Sequence, residues 1–193
     1  MTLILRRVVL VRHGQYDEHD TGQLTALGRK QAATTALAFE GMRIDSMVSS
    51  TLIRAKQTAE IIAEQIGFPR VTHSALLCEC VPTMLPASLR VKVDPEHVRQ
   101  DRERADRAYE RFFRPTKTAR TDLVICHGNI IRFFACRALG VQPRAWIKMQ
   151  SLHCGITEIS VLPNGETRLA SYNDTGHLPR PMRTMSNAAA KRD

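Results

Sequence analysis

The sequence predicts an α/β fold in three layers, with a mostly parallel central sheet flanked by helices and a hairpin near the carboxyl end. Residues 8–11 and the run 121–126 are short and rich in valine and isoleucine, as expected of parallel strands buried on both faces. Segments with helical spacing of apolar residues separate these runs, which is the order of strand–helix–strand units. Residues 155–162 and 167–172 flank a Pro-Asn-Gly turn, which predicts the hairpin.

Strands and helices alternate in the first half of the chain. The predicted elements are a strand at 8–11, a helix from 25 to about 39, a strand at 46–49, a helix ending at about 65 and a short strand at 71–73. Thr25 is placed to cap the first helix, and Ser50 or Thr51 the second. Gly41 and Gly67 stand where these helices should end.

The second half continues the alternation after an irregular stretch. Residues 74–93 contain two prolines and no regular period, so we expect them to cross the carboxyl edge of the sheet. Asp94 followed by Pro95 predicts a helix start, and the helix reaches about residue 113 with a solvated face of arginine and acid side chains. The strand at 121–126 leads into a helix that ends near Leu139.

Length and composition predict one soluble domain. The 193 residues suit a single domain at 1–185, and residues 186–193 are expected to form a disordered tail. The chain has no apolar run long enough to cross a membrane, and its first residues lack the order of a signal peptide, so we expect a cytoplasmic protein. Five scattered cysteines without a C-x-x-C pair predict free thiols rather than disulfides or a zinc site.

The charge of the chain favours anionic partners. The formal net charge is +9 and the pI is about 9.8. Aromatic residues make up only 5% of the chain and no nucleic-acid-binding motif is present, which argues against nucleic acid. Phosphorylated substrates fit the charge equally well.

Cationic or imidazole side chains follow three predicted strands at their carboxyl ends. Arg12 and His13 end the first strand, Arg54 follows the second in the first turn of a helix, and His127 ends the strand at 121–126. In open α/β sheets the ligand crevice lies at these strand ends, and helix N-termini there favour anions. The sequence therefore predicts a phosphate pocket of two guanidinium groups and two imidazoles.

Four segments match the motifs of one known family in the same order. They read R-H-G-Q at 12–15, L-T-A-L-G-R-K-Q-A at 24–32, S-S-T-L-I-R-A-K-Q-T-A at 49–59 and C-H-G-N-I-I-R at 126–132. On these motifs the chain resembles the histidine phosphatase superfamily. The resemblance implies a phosphoglycerate-mutase-like fold and a phosphatase that works through a phosphohistidine without metal or cofactor. Hydrolysis is expected rather than mutase action, because the chain lacks the length for the insertions of mutases.

Within the superfamily the chain is similar to the mitochondrial Ser/Thr phosphatases of the phosphoglycerate-mutase family. The similarity includes C-R-A-L-G at 136–140 and D-T-G-H-L-P at 174–179. Those relatives carry a membrane anchor and an N-terminal assembly segment, and we expect neither here because the chain begins almost at its first strand. The resemblance also suggests a homodimer contact through the last hairpin and residues 174–179.

The resemblance assigns roles to the residues at the strand ends. His13 would be the nucleophile, with its other ring nitrogen held as a donor to a backbone carbonyl. Arg12, Arg54 and His127 would bind the phosphoryl oxygens.

Glu79 matches the family's general acid best. It would protonate the leaving oxygen and later activate water. The family commonly shows Glu-Gly or Glu-x-x where this chain has Glu79-Cys80, and an ordinary loop glutamate is the alternative. Further substrate contacts are expected from Gly14, Gln15, Gly128 and Asn129. Helix capping is an equal alternative for Asn129.

Three alternatives stay open at this point. Cys126 and Arg132 have the spacing of cysteine-dependent phosphatases, although that chemistry needs a loop of backbone amides and a thiol of low pKa. The substrate could be a phosphoprotein or a small phosphorylated metabolite. The chain could also bind phosphorylated ligands without turning them over.

Overall fold

A six-stranded sheet forms the centre of the computed structural model, which describes residues 6–89 and 91–186. The strands are β1 (Arg6–Arg12), β2 (Ser46–Ser50), β3 (Val71–Ser74), β4 (Arg120–Cys126), β5 (Ile156–Val161) and β6 (Thr167–Asp174). The α-helices are α1 (Ala26–Leu37), α2 (Ile53–Gln65), α3 (Pro95–Phe112) and α4 (Gly128–Ala138). Short 3-10 helices lie at Ala75–Leu77, Ala87–Leu89, Pro143–Lys148 and Arg180–Met182. The tail predicted to be disordered lies outside the described residues from 187 onward.

The strand order is β3-β2-β4-β1-β5-β6, and the first four strands are parallel. β5 pairs antiparallel with β1, and β6 pairs antiparallel with β5. The carboxyl ends of β2, β4 and β1 are therefore neighbours, and the amino end of β5 lies at the same edge of the sheet. The predicted α/β class with a mostly parallel sheet and a terminal hairpin is confirmed.

Alternate side chains of β1 fill two separate cores. Val8 and Leu10 pack into the core that contains α3 and α4 residues such as Phe134. Val9 and Val11 pack on the opposite face, against side chains of α1 and α2. This division explains the uninterrupted apolar run, because a strand covered on both faces has no solvent side.

The predicted helix caps are confirmed at two helices and wrong at the third. The hydroxyl of Thr25 accepts a hydrogen bond from the Gly28 N–H at 3.0 Å, and the carboxylate of Asp94 accepts one from the Glu96 N–H at 3.2 Å. At α2 the cap position belongs to Leu52, which has no capping side chain, so neither Ser50 nor Thr51 caps the helix. Ser50 is instead the buried last residue of β2.

Two charged side chains of helix α3 face inward, although its charge run was predicted to be solvated. Asp101 is 6% exposed and accepts a hydrogen bond from the backbone N–H of Val81 at 2.7 Å. Arg104 donates to the carbonyl oxygens of Cys78 and Glu79 at 2.7 and 2.8 Å. These bonds fix residues 78–81 of the irregular segment against the rest of the fold.

The described part of the chain contains neither a membrane-spanning helix nor a cluster of metal ligands. None of its helices is long and apolar enough to cross a membrane. Among residues 6–89 and 91–186, no group of three or more His, Cys, Asp or Glu side chains is arranged to hold a metal ion. The segment 174–179 packs on its own chain, with His177 Nε2 3.1 Å from the Thr35 hydroxyl and Leu178 buried. A homodimer contact there stays a prediction.

Candidate active site

The side chains predicted at three strand ends lie together at the carboxyl edge of the sheet. Arg54, in the first turn of α2, donates from Nε to His13 Nε2 at 3.1 Å. The imidazole rings of His13 and His127 have their centroids 5.0 Å apart. β1 and β4 are paired with Arg12 opposite Cys126, which brings the residues that follow each strand side by side.

The hydrogen-bond partners of both ring nitrogens determine where His13 carries its proton. Nδ1 lies 2.8 Å from the carbonyl oxygen of Gly14, which can only accept a hydrogen bond. Nε2 faces the N–H of Arg54, which can only donate. Burial lowers the pKa of the ring well below its usual 6.5, and His127, Arg12 and Arg54 lower it further. His13 is therefore a neutral imidazole with the lone pair on Nε2.

Two glycines of the motifs are required by close contacts. A Cβ on Gly14 would lie 2.5 Å from the carbonyl oxygen of Gly28, so the loop after β1 packs directly on the start of α1. A Cβ on Gly128 would lie 3.3 Å from Arg12 Nε, which is tighter than most such contacts. Gly14 thus lets two backbone segments pack together, and Gly128 lets the Arg12 guanidinium approach the start of α4.

Arg12 is 7% exposed and is held by groups of its own chain. Its two Nη atoms donate to the carbonyl oxygen of Ser151 and to the hydroxyl of Ser186. These bonds leave Arg12 Nε on the side of Gly128. The guanidinium group is thus fixed beside the nucleophile candidate before any ligand arrives.

Within residues 6–89 and 91–186, three buried side-chain nitrogens have no hydrogen-bond partner: Arg12 Nε, His127 Nδ1 and His153 Nε2. All three nitrogens belong to residues close enough to His13 to lower its pKa. A buried polar group without a partner costs about 1–3 kcal/mol, and more when it is charged. An oxyanion beside His13 would supply acceptors to such nitrogens.

Glu79 lies on the segment fixed by α3. Its Oε1 accepts hydrogen bonds from the backbone N–H groups of Cys80 and Asn129, both at 3.1 Å. Burial raises the pKa of this carboxyl above its usual 4.5, while Arg12 and Arg132 act in the opposite direction. A carboxyl whose protonated form persists to higher pH than usual is suited to give a proton to a leaving group.

The residues predicted to contact substrate mostly build the walls of the site. Asn129 donates from Nδ2 to the carbonyl oxygen of Cys80 at 2.8 Å and so supports the loop of Glu79. The alternative that Asn129 caps α4 is wrong, because His127 holds the cap position. Gln15 accepts from the Thr25 hydroxyl at 2.8 Å with its side chain. Substrate contacts by these residues and by Gly14 and Gly128 stay predictions.

His153 belongs to the site although it was not among the predicted residues. Its ring centroid lies 5.7 Å from that of His13, and its pKa is lowered to about 3, mainly by burial. His153 comes shortly before β5, whose amino end lies beside the carboxyl end of β1. Sequence analysis could have found His153 only by predicting that β5 pairs antiparallel with β1. The residues that precede an antiparallel strand lie at the same edge of the sheet as the carboxyl ends of the parallel strands.

An open cleft of about 660 Å³ lies beside His13. The side chain of Tyr16 lines it, meets the His13 ring edge-on at 5.0 Å and lies under the Arg54 guanidinium at 4.5 Å. The remaining lining residues are Gln15, Asp17, Glu18, His19, Thr21, Gln23, Leu24, Thr25, His153 and Met185. His13 itself is 1% exposed, so a phosphoryl group reaches Nε2 only when a covering side chain moves.

The arrangement does not favour Cys126 as a nucleophile. Cys126 is fully buried at the end of β4, and burial raises the pKa of its thiol well above the usual range. Arg132 donates to the carbonyl oxygens of Gly128 and Met149 at 3.2 and 2.9 Å. The low thiol pKa that cysteine-dependent phosphatases need is absent at this residue.

Comparison with known proteins gives one family. The model of the histidine phosphatase superfamily (branch 1) matches residues 8–81 and 86–175. The mitochondrial serine/threonine-protein phosphatases Pgam5 of Drosophila willistoni and Caenorhabditis elegans are 34% and 35% identical to the chain over 189 and 184 residues. Each alignment covers 90% of this chain and 64% of the relative, so the chain spans less than two thirds of the length of these curated relatives.

Solved structures show the same fold. The phosphoglycerate mutase of Plasmodium falciparum superposes with a TM-score of 0.64 at 30% identity, covering 91% of this chain and 94% of that one. The phosphoserine phosphatase of Entamoeba histolytica, in complex with 3-phosphoglyceric acid, gives a TM-score of 0.67 at 22% identity, covering 90% and 100%. The fold is therefore phosphoglycerate-mutase-like.

Proposed function

Because the chain belongs to the histidine phosphatase superfamily, we propose that it is a phosphatase that hydrolyses phosphomonoesters through a phosphohistidine on His13. The observation that carries this proposal is the state of the His13 ring. Its Nδ1 is bound to the Gly14 carbonyl oxygen at 2.8 Å, and its Nε2 lone pair faces Arg54 at 3.1 Å. An imidazole fixed in this tautomer is an activated nucleophile beside a group that binds phosphate.

In the first step, His13 Nε2 attacks phosphorus and the bond between phosphorus and the ester oxygen breaks. Glu79, whose pKa is raised by burial, gives its proton to the leaving oxygen. Arg12, Arg54 and His127 stabilise the charge on the three remaining phosphoryl oxygens, which is the main task of a protein in phosphoryl transfer. Arg54 exchanges its bond to Nε2 for a bond to a phosphoryl oxygen as the new nitrogen–phosphorus bond forms.

In the second step, water attacks phosphorus and the nitrogen–phosphorus bond breaks. Glu79 is now a carboxylate and takes the proton of the attacking water, which restores its starting state. His13 recovers its neutral ring, because the carbonyl of Gly14 holds the proton on Nδ1 throughout. Inorganic phosphate is the product.

We further propose that the substrate is phosphorylated on serine or threonine of a protein. The support comes from the two Pgam5 relatives, which are Ser/Thr-protein phosphatases by name. The cleft volume of about 660 Å³ lies in the range of small-ligand pockets, so it suits either a few residues of a peptide or a small metabolite. A small phosphorylated metabolite is the alternative substrate.

The test is turnover of p-nitrophenyl phosphate followed by a ranked panel. We expect turnover by the wild-type chain, insensitive to EDTA, and acid-labile label on His13 after rapid quench with a ³²P-labelled substrate. Phosphate binding without turnover between pH 5 and 8 would instead favour a binding protein. The panel ranks kcat/KM for phosphoserine and phosphothreonine peptides against phosphorylated metabolites. It includes peptides with flanking basic residues, because Asp17 and Glu18 line the cleft.

A further inference from the structure

The backbone around His153 holds its side chain in a fixed position beside His13. The residue after it, Cys154, has a left-handed φ of 56°, and its N–H donates to the carbonyl oxygen of Arg12 at 3.0 Å. A non-glycine residue in this conformation is unfavourable and marks a backbone that its surroundings hold in place. The ring of His153 is thereby fixed between the His13 ring and the cleft, and it is 1% exposed.

A chain of hydrogen bonds determines which nitrogen of His153 carries the proton. The backbone N–H of Gln15 donates to Gln31 Oε1 at 2.7 Å, which fixes the orientation of the Gln31 amide. Gln31 Nε2 therefore donates to the hydroxyl oxygen of Thr184, 2.9 Å away. That same hydroxyl lies 2.9 Å from His153 Nδ1.

Counting donors and acceptors decides between the two tautomers. If the Thr184 hydroxyl donates to Nδ1, the proton of His153 is on Nε2, and only that N–H has no partner among the described residues. If Nδ1 carries the proton instead, the hydroxyl hydrogen of Thr184 loses this acceptor, and Nε2 presents a lone pair that cannot donate to an oxyanion. The first arrangement lets the Thr184 hydroxyl accept from Gln31 and donate to Nδ1 of His153, and it is the favoured one.

We propose that His153 is a further substrate-binding residue, whose Nε2–H donates a hydrogen bond to an oxygen of the phosphoryl group bound at His13. The proposal rests on the phosphatase function above for the identity of this anion. Arg12 Nε and His127 Nδ1 are the other two unpartnered buried nitrogens of the described residues, and both border His13 as His153 does. His153 thus adds a neutral donor from the antiparallel side of the sheet to the cations of the parallel side.

The first experiment compares His153→Phe with His153→Gln. Phe keeps a planar ring and loses the donor, whereas Gln loses the ring and places an amide nitrogen near the position of Nε2. We expect His153→Phe to lower kcat/KM for p-nitrophenyl phosphate about 10- to 100-fold, the range for one hydrogen bond to a charged group. His153→Gln should recover most of this loss. The opposite rank order would mean that the ring only packs, and would overturn the proposal.

The pH dependence tests whether His153 acts as a neutral group or by titrating. The pKa of His153 is about 3, so the residue stays neutral across the assay range. The ratio of wild-type to His153→Phe kcat/KM should therefore be the same at pH 5 and at pH 8. A ratio that changes several-fold over this range would show a titrating role and contradict the neutral donor.

The donor is also observable without catalysis. In a ¹⁵N-histidine-labelled full-length chain, the His153 signal, assigned with His153→Gln, should show a protonated Nε2 that shifts on addition of orthovanadate. Thr184→Val should move the proton toward Nδ1 and weaken vanadate binding, while Thr184→Ser should not. If the wild-type chain turns over no phosphomonoester, the phosphatase proposal fails, but these titrations still decide the role of His153. Equal vanadate affinity in wild type and His153→Phe, or no binding of vanadate at all, would overturn the assignment of His153 as a substrate-binding residue.

Discussion

The two sides of the active site differ in the kind of group that they present to His13. The parallel side, at the ends of β1, β2 and β4, brings Arg12, Arg54 and His127. The other side, before β5 and in the segment near residue 186, brings His153 and two hydroxyl groups, Thr184 and Ser186. One side therefore supplies two guanidinium cations and an imidazole for an anion, and the other supplies neutral groups that orient the charged ones and cover them.

The difference between the two sides follows from the position of helix N-termini relative to the strands. β2 and β4 lead closely into α2 and α4, whose first turns point N–H groups and a partial positive charge at the same edge. The antiparallel strand β5 begins at that edge instead of ending there, and a turn rather than a helix precedes it. The parallel side is thus the half of the site that favours anions.

The largest expected effect distinguishes His13 from the Cys126 thiol as the nucleophile. His13→Ala removes the nucleophile and should lower kcat for p-nitrophenyl phosphate by roughly 10⁴-fold or more, the scale for losing a nucleophile. Cys126→Ser is the matched control, because Cys126 lies buried at the end of the neighbouring strand β4. It should leave turnover largely intact. Loss of activity in Cys126→Ser with activity retained in His13→Ala would reverse the assignment.

The parallel half of the site was predictable from sequence for a physical reason. An apolar run that stops at a charged residue marks both the strand and its end, so Arg12, His13 and His127 are visible at 12–13 and 127 without a structure. Arg54 is visible because it follows a strand within one helical turn. The tautomer of His13 was implied only by resemblance, because the carbonyl that fixes it belongs to the next residue of the loop.

The other half was not predictable by the same rule. His153 precedes a strand, and its position at the site depends on β5 pairing antiparallel with β1, which is a long-range choice. The inward position of Asp101 and Arg104 on α3 was missed because both look like members of a solvated charge run. Their backbone partners at 78, 79 and 81 lie about 20 residues away in an irregular segment. Sequence periodicity carries no information on such contacts.

The next effect tests the charge of the parallel side. Arg54→Gln or His127→Gln should each lower kcat by on the order of 10²- to 10³-fold, because each removes one preorganised donor to the phosphoryl oxygens. Arg43→Gln is a matched control, since the Arg43 side chain is 85% exposed and pairs only with Asp45 in the described residues. Arg54→Gln should also raise the pKa of His13, because it removes a nearby positive charge. Measured by ¹⁵N NMR, an unchanged pKa would contradict this electrostatic coupling.

A third effect depends on the leaving group. Glu79→Gln should lower kcat/KM for an alkyl phosphate by roughly 10²-fold and for p-nitrophenyl phosphate much less, because nitrophenolate leaves without a proton. The exposed Glu110→Gln is the control on α3. Burial raises the pKa of Glu79, so its protonated form persists to higher pH than in a free carboxyl. The rate with alkyl phosphates should fall as pH rises through the pKa of Glu79. The Glu79→Gln variant should not show this fall. If the fall persists in the variant, Glu79 is not the general acid.

The smallest expected effect concerns Ser186, whose hydroxyl contacts Arg12 from the neutral side of the site. The Ser186 hydroxyl accepts a hydrogen bond from Arg12 that a phosphoryl oxygen would otherwise receive. Ser186→Ala should therefore raise kcat/KM by about two- to fivefold, the scale of one partly exposed hydrogen bond. Ser186→Thr keeps the hydroxyl and is the matched control, with kcat/KM close to wild type. If Ser186→Ala lowers kcat/KM instead, the hydroxyl helps to orient Arg12 for substrate, and the neutral side supports the charged side rather than competing with the ligand.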